Sequence, residues 1–254
     1  MQFYRAYARL PAANCGEGIT TSASLGAPDV QKTQEQFFAY INTLVMLGLK
    51  VMVLPAQPEY PDGHFIEDTA VIMPEMAVIT PMGSPSRRGE ADGIVAELDR
   101  ERPLRRMSRS GNMDGGDVLL VEKRFFIGLT SRTDEAAISE FARWVEPLGY
   151  RVRAVEIADG LHLKSVINYI GGNRLLLTEA YGNHPAFTGF TPIIIPGEEA
   201  YAANTLWINN TLITPAGYGH TLRQLQKQEL PVIVLDTGEF KKMDGGLTCL
   251  SLRF

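Results

Sequence analysis

The chain has 254 residues, of which 45% are hydrophobic and 21% charged, a composition typical of globular proteins. Its formal net charge of -5 leaves no broad basic surface for a phosphate backbone, which argues against nucleic acid as a partner. No apolar run reaches the roughly 18 residues of a membrane span, and the N-terminus lacks the apolar stretch of a signal peptide. The two cysteines are too few for a disulfide framework, so we expect a cytoplasmic protein with free thiols.

Short predicted strands and helices alternate along the chain. A strand in residues 2–10 precedes a helix that carries Phe37, Ile41 and Leu44 on one face, and the strand 50–55 follows. Four later segments each read as two apolar strands around a turn: 69–80, 117–130, 165–180 and 204–217. These pairs begin at intervals of about 40 to 48 residues, within the range expected of repeat architectures.

Several strand pairs lead into a helix and a third strand. A helical face containing Ile138 and Phe141 follows a predicted N-cap at Thr133, and the strand 151–157 comes next. A helix in 221–230 likewise precedes a strand at 232–236. These patterns predict units of the order strand, strand, helix, strand.

The fifth unit is split between the two ends of the chain. Residues 246–254 supply one predicted strand and residues 2–10 its partner, so their pairing would close a ring and remove exposed sheet edges. The segments MDGGDVLL (113–120) and MDGGLTCL (243–250) are near copies, which an ordinary α/β sheet with hairpins does not explain. The sequence therefore predicts one domain, residues 1–254, with an α/β fold of five units around a pseudo-fivefold axis.

Three residues in different units are candidates for catalysis. Cys249 lies in an apolar segment, where a cysteine is usually a core residue, but it follows a Gly-Gly turn and replaces Leu119 of the near copy. A thiol needs an acid or base partner, and His162, between a glycine turn and a strand pair, is the best placed of the four histidines. Asp114, beside the other Gly-Gly turn, could orient that imidazole and favour its protonated form, as a general acid requires.

Charged clusters suggest the substrate. Asp62, Glu67 and Asp68 lie close together before an apolar strand, where carboxylates repel one another unless a cation neutralises them. Their spacing, even with His64, matches no zinc or calcium pattern, so a planar guanidinium is a better partner than a metal. Arg87 and Arg132 follow hairpin strands and could hold a carboxylate, which together describes an arginine-like zwitterion.

These residues stand in motifs that resemble the dimethylarginine dimethylaminohydrolase family, whose members have the five-bladed α/β propeller of the guanidino-group-modifying (pentein) superfamily. The resemblance spans essentially the whole chain, in order. The motifs are PDGHFIEDTAV, SPSRRGE, MDGGDVL, SRT, DGLHLKS, AANTLWIN and MDGGLTCLSL.

The resemblance implies a hydrolase that converts N-omega-methylated arginine to citrulline and an amine. In that reading Cys249 attacks the guanidinium carbon and leaves a thiouronium on sulfur, while His162 protonates the departing amine and Asp114 orients the imidazole. The implied substrate contacts are Ile19, Asp62, Phe65, Glu67, Asp68, Arg87, Arg132 and Met243. It implies neither a cofactor nor a metal, and a monomer or homodimer whose partner is the small-molecule substrate.

Two alternatives remain open from the sequence. A deiminase acting on arginine or agmatine would use the same nucleophile, although arginine deiminases resembling this fold usually carry a helical insertion for which this chain has no room. A non-catalytic propeller that only binds a partner would not need a convergent cysteine, histidine and acid. One departure borders the expected pocket: Gly63-His64 stands where relatives often have Ser-Val, which leaves the preferred alkyl group open.

Overall fold

The structure is a computed structural model that describes residues 2–158 and 160–254. Within these ranges the strands are β1 (Arg5–Arg9), β2 (Lys50–Leu54), β3 (Ala70–Ile72), β4 (Ala77–Ile79), β5 (Leu104–Arg106), β6 (Val118–Val121), β7 (Arg124–Leu129), β8 (Arg151–Glu156), β9 (Ile167–Tyr169), β10 (Arg174–Thr178), β11 (Thr191–Ile195), β12 (Leu206–Ile208), β13 (Thr211–Pro215), β14 (Val232–Leu235) and β15 (Leu252–Arg253). The α-helices are α1 (Val30–Met46), α2 (Val95–Glu101), α3 (Glu135–Val145), α4 (Leu163–Val166), α5 (Gly219–Gln226) and α6 (Gly238–Lys241). None of these helices is long and apolar enough to cross a membrane.

The strands form five three-stranded sheets, which we call blades 1 to 5. Their strand orders are β15-β1-β2, β3-β4-β5, β6-β7-β8, β9-β10-β11 and β12-β13-β14. In every blade the first strand, here called the inner strand, is antiparallel to the middle one, and the third strand is parallel to it. The parallel pairing requires a crossover, which is why a helix or a set of turns separates the middle and third strands.

Apolar side chains fill the space between neighbouring blades. The buried hydrophobic residues form five clusters, and each cluster joins side chains of two adjacent blades, with blade 5 packing on blade 1. Strand β6 shows the pattern: Val118 and Leu120 face blade 2, whereas Leu119 and Val121 face blade 4. Because successive side chains point to opposite faces, a strand buried on both sides reads as a continuous apolar run.

The ring is closed by the two ends of the chain, as predicted. Strand β1 pairs with β15, with Ala6 opposite Arg253 and Tyr7 opposite Leu252. The side chain of Asn209 then ties blade 5 to blade 1, because its amide group both accepts from the backbone N–H of Phe3 (2.8 Å) and donates to its carbonyl (2.9 Å). Asn209 lies in a two-residue hairpin turn with positive φ, a conformation that asparagine tolerates.

Three local predictions were wrong. The crossover in blade 4 contains no α-helix and uses the 3₁₀ turns Glu179–Tyr181 and Pro185–Phe187. The N-cap of α3 is Asp134, whose carboxylate accepts from the N–H of Ala137; Thr133 donates its hydroxyl to Asp117 instead. Residues 246–254 form the 3₁₀ turn Leu247–Leu250 before the short strand β15, so Cys249 lies in a turn and does not occupy the strand position of Leu119.

Candidate active site

Short helical turns lead into the inner strands and place the candidate residues at one mouth of the ring. The turns are Ile66–Thr69, Gly115–Asp117, Leu163–Val166, Gly197–Ala203 and Leu247–Leu250. A small cavity at this mouth, about 20 Å³, is lined by residues from several blades and from the N-terminal loop: Ile19, Asp62, Phe65, Asp68, Arg87, Arg132, Leu161, His162, Met243, Asp244, Gly245 and Cys249. The ring therefore brings together most of the residues proposed from the sequence.

His162 and Asp114 form a buried pair. Nε2 of His162 lies 3.0 Å from Oδ2 of Asp114, and both side chains are buried. Oδ1 of Asp114 accepts from the backbone N–H of Gly83 at 2.8 Å, which fixes the carboxylate. Burial alone would favour the neutral imidazole, but the carboxylates of Asp68 and Asp114 outweigh it and raise the pKa of His162 to about 9. The imidazole is therefore protonated at neutral pH and can act as an acid.

Asp68 lies on the other side of the imidazole. Its Oδ1 is 4.0 Å from Nδ1 of His162 and accepts from the backbone N–H of Gly116 at 2.8 Å. Residue 116 must be glycine, because a Cβ there would lie 2.7 Å from both Asp68 and His162. Burial would favour the protonated carboxyl, but His162 and Arg87 outweigh it and lower the pKa of Asp68 to about 2.

Cys249 is the nucleophile candidate in this cavity. Its backbone N–H bonds to the carbonyl of Gly246 at 3.1 Å, and the preceding residue, Thr248, is held by Asn204 through a bond of 2.9 Å to its N–H. Burial and the carboxylates of Glu67 and Asp68 raise the pKa of the Cys249 thiol to about 12. Without a cation beside it, this sulfur remains a thiol at neutral pH.

Glu67 lies next to the thiol but does not line the cavity. Its Oε1 accepts from Lys164 (2.7 Å) and Arg253 (2.6 Å), which approach from the ring axis. Its Oε2 is buried without a hydrogen-bond partner among the described residues. An unpartnered buried carboxylate oxygen is costly, so this atom favours a donor.

The two arginines differ in what they offer a ligand. The guanidinium of Arg87 is buried and hydrogen-bonded to both oxygens of Glu90 (2.8 Å each) and to Asp68 (2.7 Å), so its donors already hold these two carboxylates. Arg132 is bonded much less: its Nη1 is 3.7 Å from Asp114 and has no hydrogen-bond partner in the described part of the chain. Of the predicted carboxylate-binding pair, Arg132 is the one with free donors.

An N-terminal loop covers the cavity. The backbone N–H of Ile19 donates to Asp62 at 3.0 Å, and the hydroxyl of Thr20 donates to the carbonyl of Lys242 at 2.8 Å. Asp244 accepts from the loop at its next two residues, the N–H of Thr21 and the hydroxyl of Ser22. Asp244 thus holds this loop against the cavity.

Two supporting residues were missed by the sequence reasoning. Asp117 is fully buried and accepts from the hydroxyls of Thr130 (2.8 Å) and Thr133 (2.6 Å) and from the N–H of Leu163 (2.9 Å). Since Leu163 adjoins His162, Asp117 fixes the segment that carries the imidazole. Asn204 donates to the carbonyl of Lys164 (3.1 Å) as well as bonding Thr248, so it joins the histidine and cysteine turns. The DGGD and AANTLWIN motifs contain these residues but give no sign of their partners.

His64 does not line the cavity. It is buried against Phe65, with ring centroids 4.0 Å apart, and burial lowers its pKa to about 3.

Asp68, Asp114 and His162 offer ligand atoms within 4.8 Å of one another, a spacing that could hold a metal ion. These groups already pair with each other and with Arg87, which accounts for their charges. The first residue of the DGLHLKS motif, residue 159, lies outside the described residues.

Comparison with known proteins gives a consistent match. A family model described as N,N dimethylarginine dimethylhydrolase, eukaryotic, matches residues 27–180. The N(G),N(G)-dimethylarginine dimethylaminohydrolase of Pseudomonas aeruginosa is 37% identical over 254 residues, 99% of this chain and 100% of that protein. A solved structure of the P. aeruginosa enzyme, a C249S variant complexed with citrulline, superposes with a TM-score of 0.97 at 36% identity and covers 100% of both chains. A dimethylarginine dimethylaminohydrolase H162G variant, solved as an adduct with S-methyl-L-thiocitrulline, gives the same TM-score, identity and coverage.

Proposed function

The chain belongs to the dimethylarginine dimethylaminohydrolase family, and we propose that Cys249, His162 and Asp114 carry out its reaction. It is a hydrolase that converts N-omega-methylated arginine to citrulline and the corresponding amine. The observation that carries the assignment is the position of His162, 3.0 Å from Asp114 and 4.0 Å from Asp68, in the cavity that contains the Cys249 thiol. The solved relatives were changed at positions 249 and 162, where this chain also has cysteine and histidine.

We propose that the substrate is held at both ends. The free donors of Arg132 would bind the α-carboxylate, while Arg87 holds Asp68 in place more than it contacts the ligand. Asp68 and the unpartnered Oε2 of Glu67 would accept from the guanidinium N–H groups, with Phe65 packing beside them. The contacts proposed for the rest of the substrate are Asp62 and the backbones of Ile19 and Met243.

The bound guanidinium activates the nucleophile. Its positive charge offsets the two carboxylates that hold Cys249 as a thiol, so the thiol loses its proton to solvent and the sulfur attacks the central carbon. The bond from this carbon to the methylated nitrogen then breaks, and His162 gives its proton to the departing amine. A thiouronium remains on the sulfur, and His162 is left neutral.

Hydrolysis of the thiouronium completes the cycle. Neutral His162 takes a proton from a water molecule as the water oxygen attacks the same carbon, and the carbon–sulfur bond breaks to release the thiolate. The protonated ureido group then gives up its proton and citrulline leaves. Asp114 keeps the imidazole in place in both steps, since its carboxylate is bonded to Nε2 and to the N–H of Gly83.

Citrulline formation from asymmetric dimethylarginine tests this proposal. Cys249→Ser should abolish turnover while the thermal unfolding temperature stays within a few degrees, because serine is a similar size but a far weaker nucleophile. Cys15→Ala is the matched control, since Cys15 is the other free cysteine and is buried in the core. Unchanged citrulline formation in Cys249→Ser would overturn the assignment of the nucleophile.

The same assay across dimethylarginine, monomethylarginine, arginine and agmatine separates the neighbouring functions. Agmatine lacks the α-carboxylate, so it would leave the donors of Arg132 unpaired and should be the poorest of the four substrates. Equal turnover of agmatine would show that the carboxylate end is not recognised. We further propose that residues 1–254 form a single catalytic domain and that the protein is located in the cytoplasm. We propose that it is a monomer or a homodimer, and its mass measured by light scattering would distinguish the two.

A further inference from the structure

A second cavity, of about 540 Å³, lies on the ring axis at the mouth opposite the catalytic cavity. Every inner strand contributes to its wall: Val71, Leu120, Tyr169, Trp207 and Arg253 are one residue from each. This volume lies within the range of ligand pockets, which span roughly 300 to 1,000 Å³. The proposed reaction uses Glu67, which lines the floor of this cavity, and none of these five wall residues.

The floor of this cavity carries more positive than negative charge. Lys164 and Arg253 both reach it, and both donate to the same oxygen of Glu67. Lys164 is only 9% exposed, and the Arg253 side chain is 10% exposed. Two buried cations therefore share one carboxylate, and an unbalanced buried charge is unfavourable unless a counter-ion joins it.

The wall adds a further cation and a set of aromatic rings. Arg102 lies 4.5 Å from the ring centroid of Phe254, and its Nε is buried without a hydrogen-bond partner among the described residues. Tyr169 and Trp207 meet edge to face with centroids 5.6 Å apart. The wall thus offers an apolar surface suited to a flat ring, next to donors suited to an anion.

We propose that this cavity is a binding site for a small organic carboxylate with an aromatic body. The carboxylate accepts from Lys164 and Arg253 on the floor, and the ring packs against Trp207 and Tyr169. The site is separate from the catalytic cavity, since Glu67 and the residues around it lie between the two. It does not depend on the reaction proposed above.

Calorimetric titration of the full-length protein with 2-naphthoate tests the site, with the neutral 2-naphthamide as the matched ligand. We expect 2-naphthoate to bind with one-to-one stoichiometry and the amide to bind at least tenfold more weakly. Citrulline should not displace 2-naphthoate, because it occupies the other cavity. Equal binding of acid and amide, absence of saturable binding, or displacement by citrulline would each overturn the proposal.

Variants locate the ligand within the cavity. Lys164→Met should weaken 2-naphthoate binding about tenfold or more, because a charge-assisted hydrogen bond is lost. Leu120→Trp places a larger side chain in the cavity and leaves the charged residues of its floor unchanged, so it should also weaken 2-naphthoate binding. It therefore tests the site even if Lys164→Met unfolds. Arg100→Ala is the control, because Arg100 is exposed and its partner among the described residues is Glu97. Unchanged affinity in Leu120→Trp would mean that the ligand binds elsewhere.

Discussion

Replacing Asp114 by asparagine should lower the pH at which activity is lost. His162 acts as an acid only while protonated, and its raised pKa of about 9 means that this form persists through neutral pH and disappears as the pH rises through that value. Asparagine keeps the shape and the bond to Gly83 but removes the charge that faces Nε2. A hydrogen bond to a charged group contributes about 1.5–3 kcal/mol, and 1.36 kcal/mol corresponds to one pKa unit, so the pKa of His162 should fall by about one to two units.

The assay is citrulline formation from asymmetric dimethylarginine as a function of pH. The alkaline limb of kcat should move from about pH 9 to between about pH 7 and 8, and not lower, because Asp68 still favours the imidazolium. Asp134→Asn is the matched control, since asparagine caps a helix as well as aspartate does and the Asp134 carboxylate accepts from the N–H groups of Ala137 and Asn112 instead of pairing with His162. An alkaline limb that stays at pH 9 in Asp114→Asn, or moves upward, would refute this account of His162.

Three further outcomes are expected. The rate of alkylation of Cys249 by iodoacetamide, followed by mass spectrometry, should still increase above pH 9, and it should be higher with acetamidinium present. A rate that reaches a plateau near the ordinary thiol pKa of about 8.5 would contradict the raised pKa of Cys249. Arg132→Ala should raise KM roughly 10- to 100-fold with little change in kcat. Arg87→Ala should instead cost about 3–5 kcal/mol of folding free energy, measured by thermal melting, because it leaves buried carboxylates unpaired. A large loss of stability in Arg132→Ala together with a pure KM effect in Arg87→Ala would show that the two roles are exchanged. Asp117→Asn should lower kcat more than it changes KM, as expected of a residue that positions the imidazole segment, and a pure KM effect would place it in substrate binding instead.

The fold was predictable from the sequence because each repeat can be recognised from its apolar strand patterns and its turn residues. The apolar runs of β6 and β7 and the Asn-Asn turn of blade 5 fix local hairpins, and their regular spacing indicates the ring. The crossover of blade 4 was not predictable, because its segment around Pro185 lacks a helical pattern yet must still span two parallel strands. The 3₁₀ turn before β15 was missed because an apolar run of this length fits either a strand or a buried turn.

The site was predictable to the extent that its chemistry depends on residue type. A cysteine, a histidine and an acid in equivalent turns of different units indicate a catalytic cavity, and the structure brings these turns to one mouth of the ring. The partners of each charge were not predictable, because they come from distant segments. Arg87 and Glu67 were both predicted to contact the ligand. The structure adds partners that the sequence did not indicate, Glu90 and Asp68 for Arg87 and Lys164 for Glu67.

The charges of the catalytic cavity explain why an inactive thiol and an active acid can coexist there. Asp68 raises the pKa of both Cys249 and His162, so the carboxylate that prepares the acid also suppresses the nucleophile. Arg87 offsets part of this negative charge. Its guanidinium is hydrogen-bonded to Asp68 and Glu90, and among the described residues it makes no hydrogen bond to the Cys249 thiol. A cationic substrate removes the conflict, because its guanidinium lies beside the sulfur and leaves the imidazolium paired with Asp114. We therefore propose that at neutral pH the thiolate of Cys249 forms when a guanidinium is bound and that the sulfur stays a thiol in the empty cavity.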